Sequence, residues 1–297
     1  MMSTSPQGSL SVDELCRLTG VSRAGYYRAW AASAPREEEQ GVRDALQRLA
    51  LANPRYGYRR LGAELRRSGR QVNHKRVLRL MREDNLLCLR ARPFVPMTTD
   101  SRHDWEIVPN LTHGLVLTDI DQLWVADITY IHLAEEFAYL AVVLDAFSRM
   151  VIGWALETHL RAELAIEALK MALARRRPAP DRLIHHSDRG VQYACGDYKT
   201  LLAAHRIRSS MSRVGNPYDN AKAERFMRTL KEEEVDGRAY RDANLARTRI
   251  GTFIEEVYNR HRLHSALGYR PPAEFEQLLV QGVPAHAPAH PGLITCP

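Results

Sequence analysis

The sequence predicts an α/β domain built on a mixed five-stranded sheet, preceded by an all-α, basic helix-turn-helix region. Three observations carry this reading. From Leu123 the chain presents LWVADITYIHL, FAYLAVVLDAFSR and MVIGWAL in close succession, broken at Glu135-Glu136 and at Phe147-Ser148-Arg149. Such apolar or alternating runs read as an antiparallel meander. Beyond them, amphipathic helical patterns alternate with short apolar runs, the mark of an α/β arrangement. Residues 41–90 instead show only helical periodicity, and hold 13 Lys and Arg against 4 Asp and Glu, a net of +9.

In chain order, residues 1–9 are small and polar and are expected to be disordered. Residues 10–32 predict two short helices joined at Gly20-Val21-Ser22, with Ser11 and Glu14 forming a capping box. Residues 40–90 predict three more. Val42, Ala45, Leu46 and Leu49 line the first, which Pro54 ends; Leu61 and Leu65 line the second; Val77, Leu80 and Met81 line the third, which Asn73 caps. Arg59, Arg60, Arg66 and Arg67 take the outer face of the second helix. Lys75, Arg76, Arg79 and Arg82 take the polar side of the third, which reads as a DNA recognition helix. Residues 91–118, with Pro93, Pro96 and Pro109, read as a linker. The α/β domain is assigned residues 119–275. After the meander it predicts a helix over 161–175, a strand RLIHHSD, a helix over 196–205 and a short strand IRSSMS. The loop GNPYDNA, the helix of Glu224 and a helix from about Asp242 to Arg260 follow. Residues 276–297 read as a tail, disordered from Val283, where Pro, Ala and His dominate.

The 297 residues leave room for two or three domains, and 45 % of them are hydrophobic, an ordinary globular content. The net charge of +7 resides in the 41–90 block, because the remainder has 29 basic and 31 acidic residues and sums to −2. A local excess of that size points to a polyanion partner, double-stranded DNA first. A solvated arginine-rich helix surface is the plain alternative. Four cysteines without a CxxC pair imply reduced thiols in a cytoplasmic protein. No apolar run reaches the roughly 18 residues of a membrane helix, and no secretion leader opens the chain.

The chemistry concentrates between Asp188 and Lys231. Asp188 ends the strand RLIHHSD, and 35 residues separate it from Glu224. Asn220, Arg228 and Lys231 stand at helical spacings of four and seven from Glu224, so one helix face carries all four. A third carboxylate, Asp127, interrupts an apolar strand, where a charge is costly unless paired or metal-bound. Two strands and a packed helix can bring three such acids together, and clustered acids attract divalent cations. Two magnesium ions about 4 Å apart would serve phosphodiester chemistry. The plain alternative is a set of unrelated surface and capping acids. Asp145 reads as a hairpin residue bonding its turn or pairing with Arg149, and Asp219 as an N-cap. His185-His186, with His261 and His264, lack the further ligands of a zinc site. No GxxxxGK[ST] loop is present, so ATP hydrolysis by that route is not expected.

At these residues the sequence resembles a known family. The segments are GVSRAGYYR, PRYGYRRL with VNHKRVLRLMRE, WVADITYI, LDAFSRMVIGWAL, HHSDRGVQY, GNPYDNAKAERFMRTLKEE and YNRHRLHSALGYRPPAEF. Across nearly all of residues 11–275 they resemble the OrfB product of bacterial insertion sequence 3 type transposases, and the core resembles that of retroviral integrases. The family pattern is two Asp and a Glu, with 35 residues between the last two and a basic residue seven after the Glu. Asp127, Asp188, Glu224 and Lys231 match it without departure.

The resemblance implies a ribonuclease-H-like catalytic core that cleaves DNA at element ends and transfers the strand by direct transesterification. It implies Asp127, Asp188 and Glu224 as catalytic residues and as ligands of two magnesium ions, with manganese able to substitute. Asn220, Arg228 and Lys231 would position terminal phosphates, and Arg59, Arg60, Lys75, Arg76 and Arg79 would grip the end sequences. Helix-turn-helix units would replace the zinc-binding domain of retroviral integrases. A nucleoid-associated homo-oligomer on DNA is expected, with an upstream-frame product as fusion or partner, this chain being its downstream half. Two other readings stay open. One is a DNA-binding regulator with an inactive core, against which the intact carboxylates speak. The other is a ribonuclease-H-type nuclease or resolvase, against which the N-terminal DNA-binding units and Lys231 speak.

Overall fold

β1, Leu123–His132, is the strand on which the larger part of the fold is built. The structure is a computed structural model that describes residues 11–24, 37–86, 88, 108–213 and 220–282. It divides into two units, residues 1–87 and 88–297. The expectations for residues 1–9, most of the second helix, 91–107, Asp219 and the tail from 283 lie outside the described residues.

The first unit is helical. In α1, Val12–Thr19, Ser11 and Glu14 form the expected capping box, and Gly20, at φ 66°, ends the helix in the left-handed region. α2 spans Glu37–Ala52 and so begins before residue 40, where the helical region was expected to start; its Glu and Gln residues are good helix formers. α3 is Tyr58–Arg67 and α4 is His74–Glu83, the latter capped by Asn73, which accepts from the Lys75 N–H at 2.8 Å. Leu46, Leu61, Leu65, Val77, Leu80 and Met81 are buried where the three helices pack, as their helical spacing predicts.

In the second unit, β2 (Phe137–Asp145) and β3 (Val151–Glu157) run antiparallel to their neighbours, and β4 (Ile184–Ser187) and β5 (Arg208–Met211) run parallel. The sheet order is β3-β2-β1-β4-β5, the mixed five-stranded sheet expected. α5 (Ala162–Arg176), α6 (Val191–Ala194) and α7 (Gly196–Ala204) cover one face. α8 (Ala221–Leu230) and α9 (Ala243–Thr252) cover the other. Strand alternation sorts β1 between them. Leu123, Val125 and Ile131 pack with Ala223, Phe226, Met227 and Leu230 of α8, whereas Trp124 and Ala126 pack with α5. A Cβ at Gly153 would lie 2.1 Å from the Ala168 carbonyl, so only glycine lets α5 approach β3 this closely.

Three boundaries differ from expectation. The helix after Asp242 changes to π winding over Phe253–His261. Its buried residues fall five apart, Phe253 with Tyr258 and Ile254 with Asn259, which π geometry satisfies and α geometry does not. Asn259 uses the placement to bond both backbone groups of Val151, each at 3.0 Å. The last helix, α10, Pro272–Val280, extends past residue 275. Residues 108–118 already belong to the core: Val108 and Leu117 pack on it, and the Leu111 N–H donates to Ser210 Oγ at 2.9 Å. No helix of the described residues is long and apolar enough to cross a membrane.

Candidate active site

The parallel ladder between β1 and β4 pairs Trp124 with His185 and Val125 with His186. Two residues further, the same register sets Asp127 beside Asp188, which directly follows β4. Asp127 has the odd parity of Leu123 and Val125, so it points toward α8. Its Oδ1 accepts the Ile128 N–H at 2.9 Å, and Asp188 Oδ1 accepts the Gly190 N–H at 2.9 Å. Asp127 is half-buried, with little water around its carboxyl. That desolvation, then the Asp188 carboxylate and more distantly Glu224, pushes its pKa up to about 8, against the pull of the Ile128 N–H and Lys231.

α8 brings the rest. The face predicted to carry Asn220, Glu224, Arg228 and Lys231 resolves into three depths. Asn220 is buried, and its Nδ2 donates to the Ala126 carbonyl at 3.0 Å, pinning the start of α8 to β1. The structure thus gives Asn220 a partner other than phosphate. Glu224 and Arg228 are exposed, and Arg228 favours the ionised form of Glu224, whose pKa partial desolvation raises. Lys231 is half-buried where α8 passes into a π turn, Lys231–Val235. Its Nζ lies 4.4 Å from the centroid of Tyr130, three residues past Asp127 on β1. The i to i+3 pairing with Glu234 is not formed; Glu234 is taken by Arg238, Arg249 and Tyr240. Among the described residues no three His, Cys, Asp or Glu side chains close on one point as a metal cage. Glu224 does not close on the Asp pair, although its charge still reaches Asp127.

The competing residues are spoken for. Asp145 is fully buried and holds its hairpin, as read. Its Oδ1 accepts the N–H groups of Phe147 and Ser148 at 2.9 and 2.8 Å, and its Oδ2 accepts that of Asp121 at 2.8 Å. His186 lies between Ser210 Oγ and Ser212 Oγ, each at 2.9 Å, and His185 meets the Tyr198 hydroxyl at 2.9 Å. Burial drives the pKa of His185 down to about 3.

In the first unit the basic residues divide into two sets. Arg76 and Arg79 of α4, with Arg43, enclose the Glu39 carboxylate, and Arg43 also reaches Glu83 and Asp84. Glu39 is only 2 % exposed, shut in by guanidinium groups rather than by a deep core. Arg76 and Arg79, expected as DNA contacts, thus also tie α4 to α2. Arg59 and Lys75 are exposed at the starts of α3 and α4, and Arg79 stays exposed beside Glu39. Arg59 lies 5.4 Å from the Tyr58 ring and Arg60 lies 5.3 Å from that of Tyr56.

Comparison with known proteins gives this geometry its family. An integrase core domain family matches residues 119–217, a second integrase core domain family matches 205–272, and an HTH-like domain family matches 36–94. The chain is 37 % identical over 277 residues to the transposase InsF for insertion sequence IS3A of Escherichia coli K12, covering 91 % of this chain and 95 % of that one. The chain belongs to the IS3 transposase family. A 31 kDa protein of insertion element IS600 from Shigella sonnei is 39 % identical over 268 residues, 89 % of this chain and 97 % of that one. Among solved structures, the HTLV-2 integrase catalytic core in complex with magnesium covers 52 % of this chain and 95 % of its own, at 15 % identity and a TM-score of 0.38.

For a transposase of this family the donor set is apt for a hard divalent cation. The acids offer only carboxylate oxygens, and two of them adjoin. Two buried oxygens nearby have no hydrogen-bond partner: the Tyr193 hydroxyl of α6 and Asn220 Oδ1. Tyr193 is within electrostatic reach of both Asp188 and Asp127, and burial holds its hydroxyl protonated. Magnesium keeps several water ligands, and orphaned oxygens beside carboxylates suit such waters. Tyr193 carried no role in the sequence reading, although it lies in the HHSDRGVQY motif. The signal missed was its place two residues into a helix starting just after Asp188.

Proposed function

We propose that this transposase cuts the phosphodiester at the ends of its insertion sequence and joins the freed 3′-hydroxyl to target DNA. Water attacks the phosphorus and the 3′-oxygen leaves; that hydroxyl then attacks a second phosphodiester, so one bond forms as another breaks and no ATP or protein–DNA bond is needed. Asp127 and Asp188 would hold the divalent metal together, and Glu224, once the substrate draws α8 inward, would complete a second site. Magnesium, or manganese in its place, would supply Lewis-acid stabilisation of the attacking and leaving oxygens there. The observation that carries the reading is the Asp127–Asp188 pair: two carboxylates set side by side on adjacent strands at a desolvation cost that a cation offsets.

Lys231 and Arg228 would neutralise flanking phosphates, and Asn220 would hold α8 on β1. Arg59, Arg60 and Lys75 would carry the phosphate contacts of the HTH-like domain, so binding weakens steeply with salt. A homo-oligomer on cytoplasmic, nucleoid DNA fits two ends brought together, and an upstream-frame product could join it. The test is a strand-transfer assay with labelled duplexes from the flanks of the gene. Joined products with Mg²⁺ support the reading. Hydrolysis without joining would leave a nuclease, and end binding with neither would leave a regulator.

A further inference from the structure

A second cationic site lies on the α9 side of α8, away from the carboxylates. Arg149 sits in the β2–β3 turn at φ 65°, held there by its N–H bond to the Asp145 carbonyl at 2.9 Å. Lys222 is one helical turn before Phe226, and Phe226 stacks edge-on against Tyr258 at 4.7 Å. Asn259, the next residue, is tied to Val151, two residues after Arg149. These links set Arg149 and Lys222 at one locus around Tyr258. Both side chains are half-buried, and among the described residues neither makes a side-chain hydrogen bond or ion pair. Desolvation lowers the pKa of each, and Arg149 lowers that of Lys222 further, while the Asp145 carboxylate offsets part of both shifts. Neither neighbouring acid bonds these side chains directly. Asp145 is saturated by four N–H and O–H donors, and Glu233 is bound by Arg262 at 2.8 to 3.0 Å. Exposed Arg225 adds a third cation facing Tyr258.

Two desolvated cations share the one buried Asp145 carboxylate in the free protein, and a second anion would balance the charge left over. The guanidinium fork and the ammonium suit a phosphate, one bidentate and one as a point charge. We propose that Arg149 and Lys222 together clamp one backbone phosphate of bound DNA, outside the acidic centre. The inference rests on the proposed DNA substrate.

The experiment measures full-chain binding to labelled element-end duplex by fluorescence anisotropy across a salt series, without metal. Arg149→Asn suits the left-handed backbone there, and Lys222→Gln keeps the helix. Each should weaken binding about tenfold, as loss of a charge-assisted contact does. Because both hold one phosphate, the double variant should be little worse than either single. Its salt slope should drop by about one. Melting temperature should change little, since the desolvation each cation suffers and its attraction to Asp145 oppose each other. Unchanged DNA affinity, or a lowered melting temperature with intact affinity, overturns the clamp. Cleavage with Mg²⁺ is scored separately. If wild type binds ends through these cations but never cuts, the proposed function fails and the clamp stands. If wild type binds no DNA, both fall.

Discussion

Asp127 stands beside Asp188 where the parallel β1–β4 ladder ends, and the pair is more costly than either acid alone. The Asp127 carboxyl stays protonated up to about pH 8 because it is desolvated and its neighbour is an acid. The Ile128 N–H and Lys231 offset only part of that cost. A bound divalent cation offsets more of it, which makes the site one whose stability and metal affinity both depend on pH.

The sign follows from proton counts. Between about pH 4 and 8 the folded chain holds a proton on Asp127 that the unfolded chain, with an ordinary value of 3.8, releases. Asp127 stability is thus lost as pH rises through that window. His185 acts oppositely: its folded value of about 3 lies below the ordinary 6.5, so stability is lost as pH falls from 6.5 toward 3. The two cancel between about pH 4 and 6.5, leaving a net loss from 6.5 to 8. Thermal melts of metal-free protein should show that loss, and Asp127→Asn should remove it, melting higher than wild type at pH 9. Identical pH profiles for the two proteins would refute the assignment. Below pH 8, Mg²⁺ must displace the proton, so its affinity should climb with pH by up to about tenfold per unit. Calorimetry in buffers of different ionisation enthalpy reads the released proton.

The carboxylate variants separate binding from chemistry. Asp127→Asn, Asp188→Asn and Glu224→Gln keep shape and remove metal-binding charge. Each should abolish cleavage and joining while leaving end binding by anisotropy at the wild-type level. Tyr193→Phe should lower metal affinity and rate by about ten- to a hundredfold, the usual effect of losing an outer partner of a metal site. Near-normal joining by any of the three carboxylate variants would remove that residue from the site.

The helical unit makes a different division. Arg79→Gln should destabilise it, since Glu39 loses its hydrogen-bonding partner. The Arg79 guanidinium is the chief reason the Glu39 carboxyl sits below its ordinary value. The variant pair Arg59→Gln with Lys75→Gln should lower melting only slightly, through the lost Arg59–Tyr58 contact, and weaken DNA binding more than Arg76→Gln with Arg79→Gln. The reverse ranking in a filter-binding series would return Arg76 and Arg79 to the DNA face.

Side-chain partners divide into those legible along the chain and those set by the fold. Local periodicity was enough for the caps of α1 and α4 and for the buried stripe of Leu61, Leu65, Val77, Leu80 and Met81. Capping and helical spacing are decided within a few residues, so they are readable there. Partners far along the chain are not. Glu39 meets Arg79 across 40 residues, Asn220 meets Ala126 across 94, and Asn259 meets Val151 across 108. Helical spacing says which side chains share a face, but not which of them the fold will spend on itself. The π winding at Phe253–His261 was hidden for a related reason: an i, i+5 burial pattern emerges only once β3 and α8 are in place to bury it.

Lys231 tests that limit most directly. Spacing placed it about 10 Å beyond Glu224 on the same face, at 1.5 Å per residue. The structure turns it onto Tyr130, three residues and about 10 Å along β1 from Asp127. Desolvation lowers its pKa, and Asp236 and Asp127 offset part of that. Two roles are then possible for one ammonium. As a cation on an aromatic ring it contributes about 0.5–1 kcal/mol to stability. As a phosphate contact it adds about one unit to the salt slope. Lys231→Ala should therefore lower melting slightly, weaken binding of pre-cleaved ends and reduce the slope by about one. Tyr130→Leu removes the ring but keeps the charge, so it should reproduce only the melting loss. Lys231→Arg should restore both. If Lys231→Ala and Tyr130→Leu lower melting alike and leave end binding and its salt slope intact, Lys231 serves only to fasten α8 to β1.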